Sequence, residues 1–276
     1  MNRTALLLLL VAALLLGGCA SAFPRREVRQ SASVVDYLYP RAESPPQAEQ
    51  GIVTLRPPVR VGIAFVPSPP RAGGLPEPEK ARLLDRLKAS FQQHDFIGRI
   101  DVIPSAYLQP QGGFANLQQT ARMFDVDVVA LVSHDQVRFN DSNSLAVLYW
   151  TIVGAYIIHG DEYDVHTLVD VSVFDVASRR LLFRAPGSSQ VKGSASLANY
   201  GERTRAAQAE GYSKAVEQVI PRLESELGNF KARVRTDTGL RVENRAGYRG
   251  GGSADGIALV LALAATLAIP ALRRSR

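Results

Sequence analysis

One cysteine in 276 residues, Cys19, decides first what this chain cannot be. No intramolecular disulfide and no multi-cysteine metal site can hold it together. Whatever folds must therefore rest on buried apolar side chains. These are plentiful: 46% of residues are apolar and 21% charged, the balance of a packed protein rather than a disordered one. The length allows one or two domains. The apolar residues are unevenly spread, however. Ala5–Leu16 and Ile257–Leu272 are almost free of polar side chains, and the lone cysteine stands just behind the first of them.

The amino-terminal segment has the parts of an export signal. Arg3 supplies a positive charge, Ala5–Leu16 an apolar run, and Gly17 and Gly18 a small-residue cleavage site. At helical rise the apolar run spans about 18 Å, short of a bilayer core of about 30 Å. Residues 1–18 are thus expected to be a signal peptide that is removed. Leu16-Gly17-Gly18-Cys19 resembles the bacterial lipobox. That resemblance implies diacylglycerol on the Cys19 thiol, cleavage between Gly18 and Cys19 by a signal peptidase II-type enzyme, and acylation of the new amino group. Several acyl chains make a stable anchor where one is marginal. Ala20 and Ser21 follow in place of the aspartate that resembles an inner-membrane retention signal, so an outer-membrane or surface destination is expected.

The carboxyl end carries a different signal. Gly250-Gly251-Gly252-Ser253 precedes the sixteen-residue run Ile257–Leu272, and Arg273, Arg274 and Arg276 close the chain. The run covers about 24 Å as a helix, the short limit for a membrane span. The terminal arginines act as a stop-transfer signal and favour a cytoplasmic tail, leaving the body of the chain on the exported side. This arrangement resembles the GlyGly-CTERM sorting tail, the presumed substrate of rhombosortase, a rhomboid-type intramembrane protease. Glycines suit such an enzyme because they resist stable helix at the bond to be exposed. Gly250, Gly251, Gly252 and Ser253 are the expected recognition region. A lipobox and this tail on one chain are similar to the rhombotarget lipoprotein family. The resemblance covers the two ends and implies a processed envelope lipoprotein, with no activity attached. Its implied partners are the membrane, through lipid and, before processing, through the C-terminal helix, together with the two processing proteases.

Between the ends, residues 19–58 are rich in Pro, Arg, Ser and Gln and read as a tether. Val34–Leu38 is the one part of it apolar enough to dock on a domain. Residues 59–230 read as an exported α/β domain. Val59–Val66 is a buried strand. Glu79–Gln93 is a helix with Leu83, Leu84, Leu87 and Phe91 on one face. Ile100–Ile103 is a short strand, Ala115–Phe124 a helix, and Asp127–Ser133 a buried strand. Val165–Asp175 alternates with period two, and Asp175–Ser178 turns it into Arg180–Ala185. Arg203–Leu227 is the longest helix, with a kink expected at Pro221. Residues 231–252 are polar and read as a stalk, and 253–276 as the sorting segment. Leu145–Ile158 is apolar throughout yet too short to span a bilayer. It reads as a core strand, or else as a hairpin touching membrane or another subunit.

The resulting order, β-α-β-α-β-β-β-β-α, predicts an α/β (α+β) fold, a mixed sheet with packed helices. In topology it resembles the small domains of curli-pore lipoproteins and of the N-terminal part of TolB. Candidate chemistry is sparse. His159, Asp161, Glu162, Asp164 and His166 hold metal-ligand types without a ligating spacing, so a metal-dependent hydrolase is only an alternative. Ser133-His134-Asp135 spells a triad, but neighbours on a strand point to opposite faces. Ser188 and Ser189 lack a nucleophile-elbow pattern. Arg25, Arg26, Arg29 and Arg41 suit anionic lipid or solvent. Removing 1–18 and 253–276 leaves 28 basic and 25 acidic residues, too even to argue for nucleic acid. The expectation is a non-enzymatic envelope lipoprotein without cofactor, acting through protein contacts. A pore or secretion accessory lipoprotein that oligomerises or inserts through Leu145–Ile158 is the other alternative.

Overall fold

In a computed structural model, residues 26–40, 52–68, 75–142, 161–196 and 199–248 are described. They form an α+β fold around one mixed sheet. In chain order the elements are β1 (Arg26–Ala32), α1 (Val34–Leu38), β2 (Val53–Leu55), β3 (Val59–Phe65), α2 (Glu77–Phe91), β4 (Ile97–Val102), α3 (Gly113–Met123), β5 (Val128–Ser142), β6 (Asp161–Asp175), β7 (Leu181–Ala195), α4 (Tyr200–Val234) and β8 (Leu240–Val242). The sheet runs β4-β3-β5-β6-β7, with β1 also on β5; β2 and β8 form a separate parallel pair.

The centre follows from β3. Its Gly-Ile-Ala-Phe stretch is buried on both faces, and it pairs in parallel with β4 and β5. Doubly covered parallel strands need continuous apolar sequence, which Val61–Phe65 and Val128–Val132 supply. Helices cover both faces. On one, α2 and α4 bury Leu83, Leu84, Leu87 and Phe91 and Tyr212, Ala215, Val216 and Val219 against Ile63, Phe65, Val171 and Val173. On the other, α1 and α3 bury Tyr37, Leu38, Leu117 and Ala121 against Ala64, Val129 and Leu131. α2 begins at Pro76 with Glu77 and Glu79 in its first turn and Lys88 in its last, so its charges oppose the helix dipole favourably.

α4 is 35 residues, about 52 Å long, and lies across β6 and β7. Side-chain bonds from the helix fasten its length: Arg222 donates to the Pro186 carbonyl (2.7 Å) and Arg233 to that of Leu182 (2.5 Å). From the sheet, Ser189 Oγ donates to the Gly211 carbonyl (2.7 Å). The helix continues through Pro221. Pro221 sits on the solvent face, where water can satisfy the Glu217 carbonyl that loses its amide partner. The β6–β7 hairpin closes where expected: Asp175 Oδ2 accepts from Ser178 N (2.8 Å) and Ser178 Oγ (2.6 Å), and Arg179 takes φ +59°.

Two expectations are corrected. The tether expected over 19–58 is folded over part of its length. Arg26–Ala32 pairs antiparallel with His134–Asn140, while Val34–Leu38 docks as its composition suggests, with Tyr37 and Leu38 buried. The Tyr37 hydroxyl donates to Asn116 (3.0 Å), and Val53 is wholly buried. An edge strand with one face toward solvent has no need of apolar composition, which is why it reads as tether. Likewise, the stalk expected over 231–252 begins with the end of α4, and Leu240–Val242 pairs with β2. Arg245 then donates to Asp127 Oδ2 (2.6 Å), beside Arg60 (2.8 Å to Oδ1). Burial alone would raise the Asp127 pKa; hydrogen bonds from Arg60 outweigh it and hold the carboxyl below its usual range. β5, β6 and β7 are also each 15 residues, longer than their apolar halves suggest.

Candidate functional site

A half-open cavity of about 970 Å³ lies between the sheet and the α2–α4 pair. Arg86 clasps the two helices, donating to Ser213 Oγ (2.6 Å) and Glu217 Oε1 (2.9 Å). Beyond that clasp, Leu87 and Phe91 of α2 and Leu223, Leu227 and Phe230 of α4 face each other across the space. Ile63, Ala130, Val171 and Val173 of the sheet complete the lining. Every one of these side chains is less than a tenth exposed. The size lies at the upper end of small-molecule sites.

The lining also includes three cations, Lys88, Lys231 and Arg235, and one acid, Asp95. None of the three cations makes an ion pair among the described residues; Lys231 Nζ instead lies 4.2 Å from the centre of the Phe96 ring. His94 stacks on the same ring, 5.3 Å between centroids, and its Nε2 is buried with no hydrogen-bond partner among the described residues. Tyr248, the last described residue, borders the opening.

The second surface is the face of β1-β5-β6-β7 that no described element covers. Its charges are paired across strands: Arg29 with Asp135 (2.5 Å), Arg184 with Asp170 (3.2 Å), and Lys192 with Asp164 (3.4 Å). Gln190 donates to both Asp164 oxygens (3.0 and 2.8 Å), and His166 lies 3.2 Å from the same carboxylate. Burial would raise the Asp164 pKa, but these Gln190 and His166 bonds lower it overall. Phe139 and Leu168 stand on this face about 40% exposed. Cross-strand pairing of this kind stabilises a solvated sheet modestly and offers a patterned surface to a partner.

The residues singled out from sequence separate clearly. His134 points into the core toward α4, whereas Asp135 lies on the opposite face with Arg29, so Ser133-His134-Asp135 is not a triad. Ser189 is spent on the Gly211 carbonyl. No group of three His, Cys, Asp or Glu residues among the described residues could hold a metal. His159 lies outside the described residues, as do Leu145–Ile158, Gly18, Cys19, Gly250–Ser253, Arg273, Arg274 and Arg276. Among the described residues no helix is long and apolar enough to cross a membrane. The cavity was not legible in sequence, because its lining comes from nine separate elements and shows no single period.

No family model matches the chain, and no curated protein does. Among solved structures it is similar to a putative neuraminyllactose-binding hemagglutinin homolog from Helicobacter pylori, at 8% identity and TM-score 0.37, over 69% of this chain and 97% of that one. It is also similar to the PelC dodecamer from Paraburkholderia phytofirmans, at 12% identity and TM-score 0.26, over 71% of this chain and 98% of that one. Both TM-scores lie under 0.5, and the fold stands on this chain's own strands and helices.

Proposed function

We propose that this chain is a bacterial envelope lipoprotein, lipidated at Cys19 and trimmed near Gly250–Ser253 by a rhomboid-type protease, whose α+β domain works by binding rather than by catalysis. The observation that carries the reading is the place of the only cysteine, directly behind Leu16-Gly17-Gly18 at the end of a signal-like apolar run. The glycine-rich segment before Ile257–Leu272 and the three terminal arginines support the second processing step. Binding is supported by the domain itself. The charges of its sheet face are paired across strands, and what it offers a partner is an apolar cavity and a sheet face left uncovered among the described residues. The domain faces the exported side, with the outer membrane or cell surface as its final place. Contacts to other proteins or to further copies of itself are the expected mode of action.

Two measurements test the processing. Cells grown with labelled palmitate should incorporate label into the wild-type protein and none into Cys19→Ala; equal labelling of the two ends the lipoprotein reading. Leu at both Gly251 and Gly252 should stabilise helix across the scissile region and leave the tail attached. The mature mass of that double variant should then exceed that of wild type by the mass of the tail, and identical masses would refute tail removal at this place.

A further inference from the structure

The described chain enters and leaves the domain at opposite ends of β5. Arg26, the first residue of β1, pairs with Asn140 near the end of that strand. The last described residues are fastened at its beginning. There β8 pairs with β2, Glu243 N donates to the Leu55 carbonyl (2.9 Å), and Arg245 N donates to that of Pro57 (2.8 Å). The Arg245 side chain donates to Asp127, which directly precedes β5, and Tyr248 N turns back onto the Arg245 carbonyl (3.0 Å). β5 pairs with β6 in unbroken register from Val128 to Ser142, so no bulge shortens it. At strand rise, Asp127 and Asn140 place the two exits about 40 Å apart.

On the lipidation and trimming proposed above, both exits lead to one membrane until the tail is removed. Cys19 lies seven residues before Arg26, a reach of at most about 25 Å. Ile257 lies nine residues after Tyr248, a reach of at most about 32 Å. Neither reach covers the separation of about 40 Å. A domain standing with β5 along the membrane normal would therefore pull one anchor out of the bilayer, whichever end were down. We infer that tail removal is an orientation switch. The untrimmed domain is held lying along the membrane by its two ends, and the trimmed domain is released to stand on the Cys19 lipid alone. Two attachments about 40 Å apart fix the long axis of the sheet, whereas one fixes no orientation. Trimming thereby frees whichever long side had faced the headgroups for contact with other proteins.

The test places the protein, purified from its own membranes, in vesicles of phosphatidylethanolamine and phosphatidylglycerol that carry a rhodamine-bearing lipid. A fluorescein maleimide on Thr238→Cys reports the tail end of the domain, and on Ser194→Cys the lipid end; both positions are exposed. Thr238 adjoins Gly239, whose carbonyl accepts from Val53 N, and Ser194 pairs with Glu162, itself opposite Asp141 beside the Arg26–Asn140 pair. An acylated Cys19 takes no dye. With leucine at both Gly251 and Gly252 the tail stays attached, and both labels should transfer energy strongly to the membrane. In the trimmed wild-type form transfer from Ser194→Cys should be unchanged. Transfer from Thr238→Cys should fall about twofold, as that end rises past its former limit of about 32 Å. Inserting about twenty Gly and Ser residues after Tyr248 of the tail-retaining protein should lower its Thr238→Cys transfer to the trimmed level, because reach is added without new contacts. Equal Thr238→Cys transfer in trimmed and tail-retaining protein overturns the proposal, and so does an inserted linker without effect. Dye on the chain without an added cysteine, or equal masses of wild type and the leucine variant, overturns the processing reading and the proposal with it.

Discussion

Replacing Gly187 with valine is expected to destabilise the domain by about 3 kcal/mol or more, and alanine at the same place by somewhat less. Gly187 lies in β7 opposite Val169, directly beneath α4. A Cβ there would overlap the Ala215 carbonyl oxygen and stand 2.7 Å from Val219 Cγ2 and 3.0 Å from Val219 N. Two of these three neighbours are helix backbone, which cannot swing aside as a side chain can. The strain must then be relieved by lifting α4 from the sheet. That movement would open the contacts of Ala215, Val216 and Val219, all fully buried, and pull on the Arg222–Pro186 bond. Gly228 provides the contrast: it lies on the exposed side of the same helix, with nothing within 4 Å of its added Cβ. Gly228→Ala should stabilise by about 0.5–1 kcal/mol, because glycine is the more costly residue to order in a helix. Urea unfolding of the three proteins checks both signs at once. Equal midpoints for wild type and Gly187→Val would mean that α4 does not rest on β7 as described.

How much of this architecture could be read from sequence depends on whether its cause is local. The Leu83-Leu84-Leu87-Phe91 stripe of α2 and the Tyr212–Leu227 stripe of α4 each repeat at helical spacing, so their faces were evident. The Asp175 turn was evident because one carboxylate satisfies the turn's own amide and hydroxyl. The pairing of β1 with β5 was not, since Arg26 meets Asn140 across more than a hundred residues and the strand itself is polar. Nor was the β2–β8 pair, whose three-residue strands carry no period. Lys88 shows the same limit at the candidate site. Within its own helix it is an ordinary cation in the last turn; only the fold places it in one lining with side chains of α4 and the sheet.

Lowering the pH from about 6.5 to about 4 is expected to remove about 3 kcal/mol of stability through one residue, His134. Its ring is buried beside Phe65 (6.0 Å between centroids) and Tyr212 (5.6 Å), and neither ring nitrogen has a hydrogen-bond partner among the described residues. Burial lowers its pKa from 6.5 to about 4; nearby Lys80 adds to the shift and Asp135 opposes it. The folded state therefore keeps the imidazole neutral where the unfolded chain would already bind a proton. Stability from this source is complete above about pH 6.5, declines as pH falls, and is gone near pH 4. The carboxylates held below their usual range, Asp127, Asp164 and Glu77, act in a separate window: their contribution persists at neutral pH and is lost only below about pH 4. His134→Phe should keep both edge-to-face ring contacts and remove two unpaired polar atoms. That variant should be about 1 kcal/mol more stable than wild type at pH 7, since an unsatisfied buried polar group is costly. The advantage should widen to about 4 kcal/mol at pH 4, where the wild type alone has lost the histidine contribution. Urea midpoints measured at several pH values between 7 and 4 separate the two proteins. Parallel curves would show that His134 is protonated in the folded domain, and with it that the ring reaches solvent or a carboxylate rather than the core between β5 and α4.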